Sequence, residues 1–73
     1  MMNEPTFVWG ETVRIKGAAP LEWRPDSLGS VCGIRMGADQ KKFGKDRWLY
    51  LIEFGDGATI ELPECFLEKT GYD

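Results

Sequence analysis

The stretch YLIEFGDGATIELPE, residues 50–64, constrains this chain more than any other. Two apolar, branched or aromatic runs flank a Gly-Asp-Gly turn, and a proline stops the second run. Side chains alternate faces along a strand. Tyr50, Ile52 and Phe54 therefore share one face of the first run, and Leu49, Leu51 and Glu53 the other. In the second run Ala58, Ile60 and Leu62 oppose Thr59 and Glu61. Asp56-Gly57 supplies the positive backbone angles of a two-residue hairpin turn. A lone hairpin is marginal in water, so further strands must complete a sheet. The run WLYLIEF is apolar on both faces until Glu53, which predicts a central strand covered on each side.

Three further strands are legible. GETVRIKG gives a first strand with Val13 and Ile15 on one face and Thr12, Arg14 and Lys16 on the other. SVCGIRM gives a second, with Gly33 in its middle marking a bulge or tight bend. PECFLEK reads as one 3-10 turn running into a short last strand. The connections AAPLEWRPDSLG and GADQKKFGKDR read as loops, the first because Pro20 and Pro25 interrupt any helical register. The expected fold is all-β: a small five-stranded SH3-like barrel with a single 3-10 turn before the last strand. Residues 1–6 read as a flexible N-terminal lead-in and residues 7–73 as the barrel.

Composition removes several classes of function. At 73 residues the chain makes one domain, and a chain this short buries only about 60% of its unfolded surface. It has no histidine, which takes away the commonest general base and metal ligand together. Cys32 and Cys65 lie far apart and form no C-x-x-C pair, so no metal site is expected, and each reads as a small buried hydrophobe. Ser27, Ser30 and the threonines lack a histidine partner, which argues against catalysis, and no cofactor is expected. No stretch has secretory character or membrane-spanning length. A cytoplasmic protein is the expectation.

Net charge is −3, unfavourable for general nucleic-acid binding. Its distribution is uneven: residues 11–47 hold eight of the nine Lys and Arg, whereas residues 48–73 hold six acids and only Lys69. Three candidate surfaces follow. Trp23 and Arg24, framed by two prolines and joined by Trp9 and Trp48, are of the types most often found as interface hot spots, although Trp23 folding back onto the barrel's open end is an equally physical reading. Lys41, Lys42, Lys45 and Arg47 around Phe43 have the basic and aromatic interleaving that a nucleic-acid strand would use. The acids Glu53, Asp56, Glu61, Glu64 and Glu68 suit a basic protein partner.

The motifs F-x-x-G-x-x-V-R-x-K, G-x-V-x-G and P-x-x-x-L-E-K, spread over residues 7–69, resemble small bacterial SH3-like domains. Two families share the pattern: type II dihydrofolate reductase and the C-terminal barrel of the nitrile hydratase beta subunit. The first resemblance implies a tetrameric pore enzyme. That family's Val-Gln-Ile-Tyr strand is replaced here by Thr59-Ile60-Glu61-Leu62, and its lysine after Val-Arg by Ile15, so its chemistry does not carry over. The second implies a supporting or docking role. The expected function is a non-catalytic protein-interaction or assembly module, with protein-binding residues Trp23, Arg24, Trp9, Trp48, Asp56, Glu61 and Glu64. Its alternatives are a KOW- or Tudor-like nucleic-acid binder and a small oligomeric enzyme. The partner is a protein, with a homo-oligomer possible.

Overall fold

The computed structural model describes residues 5–37 and 47–71, the side chains of Gly37 and Arg47 excepted. Five antiparallel strands form one sheet: β1 (Thr12–Ile15), β2 (Leu28–Gly37), β3 (Arg47–Glu53), β4 (Thr59–Pro63) and β5 (Leu67–Lys69), in the order β4-β3-β2-β1-β5. The expected 3-10 turn precedes β5 at Glu64–Phe66, and a second lies in the long loop at Leu21–Trp23. Its C-cap, Arg24, is left-handed at φ 58°, and Asp26 follows at φ 69°. Such angles are uncommon for residues with a Cβ.

The links between strands force the sheet to roll. A flat sheet of five strands at about 4.8 Å spacing would hold its edges roughly 19 Å apart. Here the edge strands β4 and β5 are joined only by Glu64–Phe66, and a 3-10 segment rises about 2 Å per residue. The edges are therefore drawn together at one end. No ladder joins β4 to β5 among the described residues, so both remain edges.

The expected bulge falls at Gly33: the β2–β3 register shifts between Val31 and Gly33, so Cys32 has no partner across the ladder. A Cβ on Gly33 would lie 3.0 Å from the Leu51 Cβ. The β3–β4 turn is one residue longer than expected. Phe54 N donates to Ala58 O, Gly57 N donates to Phe54 O, and only Gly57 has a positive φ, 89°. This is a three-residue connection closed by a left-handed glycine. The Asp56 side chain accepts from Ala58 N, which favours this turn over the tighter one.

The core gathers Phe7, Val13, Ile15, Ala19, Val31, Tyr50, Ile52, Phe54, Leu62 and Leu67 inside the rolled sheet. Leu49 faces away from that core yet is fully buried, as expected for a strand covered on each side, although β3 lies second from the edge and β2 is central. Part of its cover is visible. Arg35 on β2 and Glu61 on β4 flank β3, and the guanidinium and carboxylate meet through two hydrogen bonds of 2.7 and 2.9 Å. Such a link must cross over β3 beside Leu49 and Leu51, their cross-strand partners. Cys32 is half-buried and Cys65 exposed, without a disulfide, so Cys65 is not the buried hydrophobe expected. Its place in the 3-10 turn, outside the ladder's alternation, explains the difference.

Candidate protein-binding surface

The chain enters the sheet through a tightly fixed turn. Phe7 is buried with its ring edge-on to Tyr50 at 5.3 Å. Residues 8–11 then reverse direction: Glu11 N donates to Val8 O, and Gly10 supplies the positive φ of 83° that the third turn position needs. The Glu11 carboxylate accepts from Val8 N and from Lys69 Nζ, 3.0 and 3.1 Å away. Gly10 N donates to Val31 O and Glu11 O accepts from Val31 N, stapling the turn to β2. At its tip Trp9 is 68% exposed and Val8 62%. A large aromatic is thus presented to solvent on a backbone with little freedom to lose on binding, a favourable property for an interface anchor.

Trp23 and Arg24 are placed differently. Trp23 is half-buried and packs against the core, edge-on to Phe66 at 5.3 Å. It lies back on the fold, as the second of the two readings had it. Arg24 crosses to the β3–β4 turn. Its two terminal nitrogens lie 3.2 and 3.1 Å from the two Asp56 carboxylate oxygens, and its guanidinium sits 4.8 Å from the Phe54 ring centre. The Arg24 hydrogen bond, then the Ala58 amide, hold the Asp56 carboxyl below its usual value. The sheet thus brings Arg24 and Asp56 together and leaves Trp9 on a different turn. Trp48 is half-buried against the core, and its indole Nε1 is sealed from solvent with no partner among the described residues.

The acids divide in the same way. Glu61 is tied to Arg35. Glu64 accepts from Tyr50 Oη at 2.5 Å and from Thr6 N at 2.9 Å, and Tyr50 Oη accepts in turn from Phe7 N at 3.3 Å. Burial pushes the Glu64 carboxyl up, but the Tyr50 hydroxyl and Thr6 amide outweigh it and the net shift is downward. This carboxylate fastens the N-terminal segment to the sheet, a role that sequence reasoning missed. The one local signal was a glutamate directly after the strand-ending proline. Glu53, by contrast, is exposed, and its carboxylate makes no hydrogen bond or ion pair with any described residue. Lys41, Lys42 and Lys45 lie outside the described residues, and of Arg47 only its backbone position at the start of β3 is described.

Among the described residues no group of acids and cysteines is arranged to hold a metal ion, and no helix is long and apolar enough to cross a membrane. No family model, curated protein or solved structure matches this chain. The likeness to the two barrel families rests on the quoted motifs alone.

Proposed function

We propose that this domain is a non-catalytic protein-interaction module anchored by Trp9. The observation that carries this reading is the combination of a solvent-exposed tryptophan and a rigid turn beneath it. Truncating such an anchor removes contact area with the partner and nothing from the core. The engaged states of Trp23, Arg24, Asp56, Glu61 and Glu64 give those residues a structural task, with any partner contact secondary to it.

Affinity capture with the immobilised full chain tests the reading, using the wild type and Trp9→Ala side by side. The variant keeps its thermal midpoint and loses the proteins that the wild type retains. An identical retained set, with Trp9→Ala fully folded, overturns it.

A further inference from the structure

The β2–β3 ladder begins at Ser30↔Glu53. Continuing that register would place Leu28 opposite Gly55, but no backbone hydrogen bond joins them among the described residues. The hairpin diverts the chain first, through the Phe54–Ala58 bond. On its other side this end of β2 is secured, with Gly29 opposite Val13 and Leu28 opposite Arg14 on β1. The result is a notch between Leu28–Gly29 and Phe54–Gly55, a shallow groove of about 250 Å³ that also takes in Thr12, Ser30 and Glu53.

The groove carries charge of one sign only, the Glu53 carboxylate. Thr12 pairs with Ser30 and Ser30 with Glu53 across three strands, so those side chains form one row on the outer face. Gly29 N and O point to β1, as the flanking bonds Ile15 N to Ser27 O and Val31 N to Glu11 O require. The peptide groups of Leu28 therefore point toward the notch. The site offers a carboxylate, two hydroxyls and the Leu28 carbonyl and N–H, which bond no described backbone group, beside the apolar side chain of Leu28, 43% exposed. Its one charged group is Glu53, whose carboxylate, unlike those of Glu11, Asp56 and Glu61, has no cationic partner among the described residues. Arg14 lies beyond Leu28, opposite Glu68 on β5.

We infer that this notch receives the guanidinium of an arginine on the protein partner, seated between Glu53 and the open backbone of Leu28 and Gly55. A guanidinium is planar, carries five donors and no acceptor, and pairs with a carboxylate through two parallel bonds. It matches a slot whose one charge is a carboxylate and whose hydroxyls and Leu28 carbonyl accept hydrogen bonds, and its aliphatic stem lies along Leu28. A net charge of −3 on the whole chain favours the approach of a basic partner. The inference rests on the reading of the domain as a protein-binding module and adds the chemistry of the partner's contact residue.

The test is an amide-resonance titration of the isotope-labelled full chain with N-acetyl-arginine methylamide. The citrulline analogue, equal in shape but neutral, and the lysine analogue serve as controls. Saturable shifts at Leu28, Ser30, Glu53 and Gly55 are expected with the arginine probe, at least tenfold weaker with lysine, absent with citrulline, and lost in Glu53→Gln. Leu28→Lys, which sets a cation on the groove wall, also abolishes them. Absent shifts, shifts elsewhere, equal response to citrulline or lysine, or persistence in both folded variants overturns the inference. Trp9→Ala leaves the titration unchanged while losing partner capture, so failure of the guanidinium site and failure of the Trp9 anchor are read separately.

Discussion

Tyr50 donates its hydroxyl to Glu64 across 2.5 Å, linking the middle of β3 to the turn that leaves the sheet's edge. The same carboxylate holds Thr6, and the same hydroxyl accepts from Phe7. One buried phenol thus fastens the entering chain to the departing one.

Burial, then the Glu64 hydrogen bond, pushes the Tyr50 hydroxyl from 10.0 up to about 12. Because the folded value is the higher, the associated stability is complete below pH 10 and is lost as pH rises toward 12. Glu64 runs the other way: its lowered value gives stability above the ordinary carboxylate range, lost as pH falls through the depressed one. Replacing Tyr50 by Phe should cost about 1–3 kcal/mol at neutral pH, since a buried partner is left unmade. It should also flatten the alkaline limb. Urea unfolding across the pH range measures both, and an unchanged alkaline limb refutes the link.

Gly29 and Gly55 both line the notch but differ in the space around them. A Cβ on Gly29 would meet Ile52 Cγ2 at 2.4 Å and the Glu53 carbonyl at 3.0 Å, whereas nothing lies within 4 Å at Gly55. Gly29→Ala should therefore destabilise by about 1–3 kcal/mol, as overpacking does. Gly55→Ala should stay within about 0.5 kcal/mol of wild type, as surface changes usually do. Equal midpoints for the two variants would contradict the packing described.

Arg35 and Glu61 form an exposed but bidentate pair that shields β3. A double-mutant cycle with Arg35→Ala and Glu61→Ala should give a coupling of about 0.5–1 kcal/mol, the upper end for such pairs. Raising the salt concentration should reduce it. Arg35→Ala should also cost more than Glu61→Ala, because the arginine stem covers apolar surface as well as carrying charge. A zero coupling at low salt would remove the pair from the account of why Leu49 stays buried.

Asp56 titrates below the ordinary aspartate value because Arg24 and the Ala58 amide stabilise its charge. Carboxyl-carbon resonances followed from pH 2 upward would show this directly. Arg24→Gln should move the Asp56 midpoint up toward the ordinary value. An unmoved midpoint would mean that the Ala58 amide alone sets it.

Much of this was legible in the chain because the signals were local. Alternation in residues 48–62 placed Tyr50, Ile52 and Leu62 inward, and the glycine at 33 marked the bulge. The sequence allows Trp23 two placements, and contact with Phe66, more than forty positions away, decides between them. The Tyr50–Glu64–Thr6 clamp was not legible. Thr6 and Glu64 are separated by 58 positions, and no periodicity reports a contact between a lead-in and a distant turn. The three-residue turn was missed for a subtler reason: Asp56-Gly57 suits either connection, and the side-chain bond to Ala58 N selects the longer. The groove at Leu28 and Gly55 arises from where one ladder stops, a property of register that side-chain types do not encode.

The pairing of β1 with β5 sets the order of events when the chain folds. The β3–β4 hairpin closes over a few residues, whereas Thr70 Oγ1 reaches the Thr12 carbonyl from 58 positions away. Loop-closure entropy makes such distant pairings late and slow. On that ground the transition state is expected to contain the hairpin with β2 laid beside it, with the β1–β5 pairing formed last. Weakening Leu67 should leave the folding rate nearly unchanged and accelerate unfolding, and weakening Ile52 should do the reverse. The β1–β5 pairing thereby governs how long the native state lasts, and the hairpin governs how soon it forms.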